Sequence, residues 1–189
     1  MKASLRTSKA MFLDRDGTLI VHKPYLHSPD EVELLPTVIE ALGLARAAGC
    51  RLYLFTNQAG VGRGWFTLDD VAAVNARMIE LIGCGEDVFA GMCVATEARS
   101  EPGGYRKPSP RFILETCARE GWATGDVAMI GDMPSDWQAG LNAGARVVAV
   151  PAALGSAADE RLRVDAGVPL FDTLLDAVAA LLHGTRSLG

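Results

Sequence analysis

Residues 11–19 read MFLDRDGTL. An apolar run stops at two carboxylates, Asp14 and Asp16, one residue apart, with Gly17 and Thr18 directly behind them. Taken alone, two solvated acids and a glycine simply end a strand and open a turn. The pair becomes chemical only if the rest of the chain brings it partners.

Working outward, apolar β-rich runs at 10–13, 51–55, 88–94, 126–130 and 146–150 alternate with amphipathic segments at 36–48, 67–82, 109–120, 135–143 and 172–183. The helix starts carry ordinary signals: Pro36 in a first turn, Thr67 with Asp70 as a capping box, Ser109-Pro110 as N-cap and first helical residue, and Asp172 before the last helix. Alternation of this kind predicts an α/β fold, a largely parallel sheet with helices on both faces, because parallel neighbours need crossover connections. The stretches 20–35, 57–66, 95–108 and 151–168 read as irregular, and there are no internal repeats.

Length and charge narrow the possibilities. The chain has 189 residues, 49% of them hydrophobic, which suits a single domain over 1–189. Eighteen Lys plus Arg against 23 Asp plus Glu give a net charge of -5 without a basic block, which argues against nucleic-acid or membrane partners. The basic N-terminal MKASLRTSK is followed by too short an apolar run for a signal peptide, and no stretch is long enough to span a bilayer. Cys50, Cys84, Cys93 and Cys117 sit singly, as expected for reduced thiols in a cytoplasmic protein.

Open α/β sheets bind ligands beyond the carboxyl ends of their strands. There the sequence places Asp14 to Thr18, Thr56-Asn57-Gln58, and Gly131-Asp132 with Asp136 four residues on, while Arg106-Lys107-Pro108 precedes a helix. Several acids, a hydroxyl, a lysine and an arginine at one edge suit a hard cation bound together with an anion, as in a phosphate monoester with Mg²⁺. Asp14 is then placed to attack phosphorus, and Asp16 to protonate the leaving alkoxide and later deprotonate water. Thr56 would hydrogen-bond a phosphoryl oxygen, Lys107 would neutralise it and Asp132 would complete the metal site.

In this order and spacing, Asp14-Arg15-Asp16-Gly17-Thr18, Thr56-Asn57-Gln58, Arg106-Lys107-Pro108 and Gly131 to Asp136 resemble the four signatures of the haloacid dehalogenase-like phosphatases, over about residues 10–150. FLDRDGT followed by TNQAGVGRGWFT and RKP is similar to the branch of the D,D-heptose bisphosphate and histidinol phosphatases. That resemblance implies a Rossmann-like fold with minimal or no cap domain, Asp14 as nucleophile, Asp16 as acid/base and Lys107 as the phosphate-stabilising lysine. It also implies Mg²⁺ held by Asp14, the Asp16 carbonyl and Asp132. Arg106, with Asn57 and Gln58 of the second signature, would face substrate, and the loop of His22, Lys23 and Tyr25 would shape the entrance. The implied substrate is a heptose 1,7-bisphosphate, with histidinol phosphate or another sugar or polyol phosphate as the alternative.

Two departures from that branch bear on specificity. Its zinc loop needs four ligands, and MCVATEARSEPGGY at 92–105 keeps only Cys93, so no zinc is expected. The segment 98–104 is then expected to be a mobile loop held only at its ends, with a broader or different substrate range as the consequence. Met133 stands where a lysine is common, which weakens the case for that particular sugar. GVGRG at 60–64 lacks the full G-x-G-x-x-G and reads as a loop beside the site, with Arg63 and Trp65 as candidate substrate contacts. Asp136 either braces Lys107, holds the metal through water, or merely places a charge at a helix N-terminus. A phospho-acceptor module of the receiver kind is the reading from another class. Asp16 argues against it, because a lasting phosphoaspartate has no use for an acid/base two residues away.

Overall fold

The computed structural model describes residues 8–153 and 155–183; most of the basic N-terminal segment lies outside them. Five strands, β1 (Ala10–Leu13), β2 (Arg51–Asn57), β3 (Gly91–Ala95), β4 (Val127–Gly131) and β5 (Arg146–Ala149), form one all-parallel sheet in the order β3-β2-β1-β4-β5. The chain therefore starts in the middle of the sheet and adds strands first to one side, then to the other. The order reverses between β1 and β4, and a crevice opens at the carboxyl ends of strands at such a switch point.

Among the described residues, seven α-helices connect and cover the strands: α1 (Val38–Ala47), α2 (Ala59–Gly62), α3 (Leu68–Ile82), α4 (Arg111–Glu120), α5 (Pro134–Ala143), α6 (Ala157–Asp165) and α7 (Leu174–His183). The two-residue period of a strand sends Met11 and Leu13 of β1 to one face and Ala10 and Phe12 to the other. Met11 and Leu13 pack with α1, α3 and α7 through Leu42, Val74, Met78 and Val178. Phe12 packs with Tyr53, Phe55, Ile113 of α4 and Trp137 of α5. Both faces of β1 are thus buried, which is why its sequence is continuously apolar rather than alternating. No helix among the described residues is long and apolar enough to cross a membrane.

The parallel α/β expectation holds, with local corrections. The Thr67–Asp70 capping box is present, Thr67 Oγ1 accepting from Asp70 N at 3.2 Å and Asp70 Oδ2 from Thr67 N at 2.7 Å. Elsewhere the helix starts are displaced. Pro36 lies before the N-cap of α1, which is Thr37 at φ 66°. The N-cap of α4 is Pro110 rather than Ser109, whose hydroxyl instead donates to Gly104 O at 2.7 Å. Thr173 rather than Asp172 caps α7, its hydroxyl accepting from Asp176 N at 3.1 Å. The stretches 57–66 and 151–168 contain α2 and α6. Helix α6 buries none of its residues and so shows no apolar stripe; its legible signal is the capping box of Ser156 and Asp159.

Candidate active site

Register fixes the site. Leu13 pairs with Leu54 of β2 and Ile130 of β4, and Asp14 N donates to Ile130 O at 3.0 Å, so Asp14 and Asp132 leave adjacent central strands side by side. Beyond Asp14 the chain reverses around the Arg15 carbonyl, which accepts from Leu19 N at 2.9 Å and Ile20 N at 3.0 Å. Gly17 sits at φ +88°, and a Cβ there would come within 2.3 Å of Asp132 Oδ2. The glycine of the opening stretch thus serves both the turn and the close approach of an acid from another strand.

Lys107 reaches into this edge from the loop before α4. It is buried, and its ammonium makes three contacts: Asp14 Oδ1 at 2.5 Å, Asp136 Oδ1 at 2.6 Å and Phe55 O at 2.7 Å. These match the three donors of an ammonium. Burial works against its charge, but Asp136 and Asp14 outweigh burial and hold Lys107 above its ordinary value. Two of the three readings of Asp136 meet in one side chain. Oδ1 braces Lys107, while Oδ2 accepts from Met133 N at 2.9 Å at the start of α5.

One carboxylate oxygen from each of Asp14, Asp132 and Asp136 lies within 4.8 Å of the others, and all three residues are buried. Against three carboxylates stands one ammonium. Burial, and then the neighbouring Asp136 and Asp16, push Asp14 up to about 7 despite Lys107. Burial, followed by Asp14 and Asp136, pushes Asp132 up to about 8. Asp132 Oδ1 is buried without a hydrogen-bond partner. An orphaned carboxylate oxygen among uncompensated acids is the donor set that a divalent, oxygen-seeking cation satisfies.

Asp14, Asp16, His22, Lys23, Tyr25, Asn57, Gln58, Arg106 and Lys107 all border one cavity of about 380 Å³ at this edge, as does Asp136. Several are less free than their positions suggested. Asn57 exchanges hydrogen bonds with the Lys107 backbone, accepting from its N at 2.9 Å and donating to its O at 3.1 Å. Gln58 Nε2 donates to Thr56 Oγ1 at 2.8 Å and to Asp16 Oδ2 at 3.1 Å. Both amides thus hold catalytic candidates in place, a role that a side chain's location in the sequence does not disclose. Thr56 is buried, and neither it nor Asp132 borders the cavity. Lys23 Nζ is taken by Glu33 Oε1 at 2.6 Å and Glu31 O at 2.7 Å. Arg63 does not border the cavity; it lies 4.8 Å above the Trp65 ring and 3.3 Å from the hydroxyl of Tyr25, which does.

The loop 98–104 is tied across its ends by Glu97 and, beyond that expectation, also within its C-terminal part at Gly103 and Gly104. Tyr105 N donates to Glu97 Oε1 at 2.7 Å, Gly104 N to Glu101 O at 3.0 Å, and Arg106 Nη1 to Glu97 O at 3.3 Å. The Arg111 guanidinium lies 4.4 Å from the Tyr105 ring centroid and also donates to Gly103 O. A carboxylate acting through backbone N–H groups can close a loop without a metal, a device that counting metal ligands overlooks. Cys93 sits buried in β3, where burial pushes its thiol up to about 12. Among the described residues, Asp14, Asp132 and Asp136 form the one group of three or more His, Cys, Asp or Glu arranged to hold a metal.

Comparison with known proteins bears on the same edge and sheet. The HAD-hydrolase-like family model matches residues 104–177. The chain is 35% identical over 143 residues to a D-glycero-beta-D-manno-heptose-1,7-bisphosphate 7-phosphatase of Helicobacter pylori, covering 74% of this chain and 81% of that protein. It is 38% identical over 143 residues to the enzyme of that name from Mesorhizobium japonicum, where the match spans 71% of this chain and 65% of the relative, just under two thirds of its length. In fold it resembles the D,D-heptose 1,7-bisphosphate phosphatase of B. bronchiseptica, with TM-score 0.81 at 24% identity over 94% of this chain and 99% of the other. With the corresponding protein of Burkholderia thailandensis the TM-score is 0.63 at 25% identity, over 93% of this chain and 99% of the other.

Proposed function

The chain belongs to the haloacid dehalogenase-like hydrolases, in the family of the D,D-heptose 1,7-bisphosphate phosphatases, and from that membership we propose that it is a single-domain, Mg²⁺-dependent phosphatase that removes the 7-phosphate of a D-glycero-D-manno-heptose 1,7-bisphosphate. The observation that carries the chemistry is the meeting of Asp14, Lys107 and an orphaned Asp132 oxygen at the switch point of the sheet. Identity over most of the chain to phosphatases named for that sugar supports the substrate.

Each residue takes a defined part. The free Asp14 oxygen attacks phosphorus in line, forming the aspartyl-phosphate bond as the bond to the leaving oxygen breaks. Asp16 gives its proton to that oxygen, then takes one from the water that attacks the aspartyl-phosphate, which restores both carboxyl groups and releases inorganic phosphate. Lys107 favours the charged form of Asp14 against burial, orients it, and neutralises charge that develops on the phosphoryl oxygens. Asp14, the Asp16 carbonyl and Asp132 would hold the Mg²⁺, which supplies a positive charge for the phosphoryl oxygens and offsets the crowded acids. Asp136 and Asn57 hold Lys107 from its two ends, ammonium and backbone. Arg106 and Tyr25 at the cavity wall, with Arg63 and Trp65 packed against Tyr25, are the groups available to the sugar and its second phosphate.

The test is phosphate release in Mg²⁺ from heptose 1,7-bisphosphate, histidinol phosphate and glycerol phosphates. We expect kcat/KM for the heptose bisphosphate to exceed the others by at least about tenfold, a transition-state difference of about 1.4 kcal/mol. Preference for histidinol phosphate would overturn the substrate. No release from any of them, with the protein folded and Mg²⁺ present, would overturn the reaction.

A further inference from the structure

Arg15, between the two aspartates, is the largest fully buried side chain of the described residues, 1% exposed. A guanidinium out of water must have its donors matched. Nε donates to Asp16 Oδ2 at 3.0 Å and Nη2 to Asp16 Oδ1 at 3.2 Å, a two-point grip on the neighbouring carboxylate. Nη1 donates at 3.0 Å to Oδ1 of Asn75, a residue 60 positions away on α3 and itself 5% exposed. Asn75 does not border the cavity. It is a buried amide on the core-facing side of α3, beside Val71, Val74 and Met78. An apolar residue would pack there without an amide to satisfy, so packing alone does not call for asparagine.

Resting on the reading of Asp16 as acid and base, we infer that Arg15 and Asn75 are positioning residues for proton transfer: Asn75 aims the Arg15 guanidinium, and the guanidinium sets the plane of the Asp16 carboxyl group. Gln58 pins the same Oδ2 from the other side at 3.1 Å, so Oδ2 receives two donors and Oδ1 one. A carboxylate oxygen has two lone pairs. The arrangement therefore leaves Oδ1 as the oxygen with capacity to carry the transferred proton. Helix α3 thereby acts on the reaction without touching substrate, because a misplacement of about 1 Å in a reacting group can cost about 10²-fold.

Leaving-group dependence separates this role from a structural one. 2,4-Dinitrophenolate departs without a proton, whereas phenolate benefits from one, so the ratio of kcat/KM for phenyl phosphate to that for 2,4-dinitrophenyl phosphate reports proton delivery in the first step. Both values scale with the amount of folded enzyme, and their ratio does not, so loss of stability neither mimics nor hides the effect. We expect Asn75→Leu and Arg15→Lys each to lower the ratio by about 10-fold or more, and Asp16→Asn to lower it by about 10²–10⁴-fold. An unchanged ratio in both Asn75→Leu and Arg15→Lys, with Asp16→Asn still lowering it, would overturn the positioning role and leave the phosphatase reading standing. If Asp16→Asn also left the ratio unchanged, or the wild type hydrolysed neither ester, the role assigned to Asp16 or the reaction itself would fall, and the inference with it.

Discussion

Asp132→Asn should make the metal-free protein more stable at neutral and alkaline pH while removing its response to Mg²⁺. Burial, Asp14 and Asp136 raise Asp132 from 3.8 to about 8, so the folded protein holds this proton more tightly than the unfolded chain does. A raised carboxylate contributes stability that is present below its unfolded value and lost as pH rises through its folded value. At pH 7, about three pH units above 3.8, the loss relative to acid amounts to about 4 kcal/mol at about 1.36 kcal/mol per unit. Asparagine keeps the shape and never ionises, but it buries an amide at a place where Oδ1 has no partner, which costs about 1–3 kcal/mol. The net gain is about 1–3 kcal/mol, or about 2–12 °C in Tm at about 2–4 °C per kcal/mol for a chain of this size.

The assay is thermal unfolding of both proteins from pH 4 to pH 9, in EDTA and in Mg²⁺. In EDTA the advantage of Asp132→Asn should open between pH 4 and pH 8 and then level off. In Mg²⁺ the wild type should gain about 2.7 kcal/mol at a hundredfold excess over Kd, while the variant gains little. A variant no more stable than wild type at pH 8 in EDTA would refute the claim that Asp132 is an electrostatic burden awaiting a cation. So would an advantage that persisted unchanged to pH 4.

Asp14→Asn should abolish phosphate release and leave the fold intact, since it removes the attacking carboxylate and relieves repulsion from Asp16 and Asp136; residual turnover within about 10²-fold of wild type in the folded variant would exclude covalent catalysis. Gly17→Ala should weaken Mg²⁺ binding by about tenfold or more, because its Cβ would stand 2.3 Å from Asp132 Oδ2, in addition to about 1–2 kcal/mol for an alanine at φ +88°; unchanged Mg²⁺ dependence of Tm would refute this. The protein should purify without stoichiometric zinc, and a zinc chelator should leave both the fold and the Mg²⁺-restored activity intact, since Glu97 closes the loop that a zinc would otherwise clip; elemental analysis showing one tightly held zinc per chain would overturn it.

Periodicity made the sheet legible because both faces of each central strand are buried and the helices between them carry apolar stripes, as Met11 to Leu13 and Val74 to Met78 illustrate. Helix α6 escaped this reading because it buries nothing. At the site, acids placed just past the ends of β1 and β4 announced Asp14 and Asp132, and Lys107 was announced by its signature in the loop before α4. The partnerships of Asn57 with Lys107, Gln58 with Asp16, and Arg15 with Asn75 were not legible. They depend on which side chains happen to face one another across 50, 42 and 60 residues of chain, and no local pattern encodes that.

The glycines of the first and last signatures show how the sheet edge accommodates so many acids. Gly17 would place a Cβ 2.3 Å from Asp132 Oδ2, and Gly131 would place one 2.4 Å from Asp136 Oδ2. Gly17 takes a conformation that favours glycine, but Gly131 does not, so backbone strain explains only the first. What the two share is an aspartate lying where a side chain would begin. Each removes the steric barrier that would otherwise keep a carboxylate away from the switch point. The repulsion that remains is electrostatic, and Lys107 answers only part of it. Like charges this close persist in a fold when function holds them there, and a divalent cation held by Asp14 and Asp132 would convert the same crowding from a cost of folding into affinity for the cation.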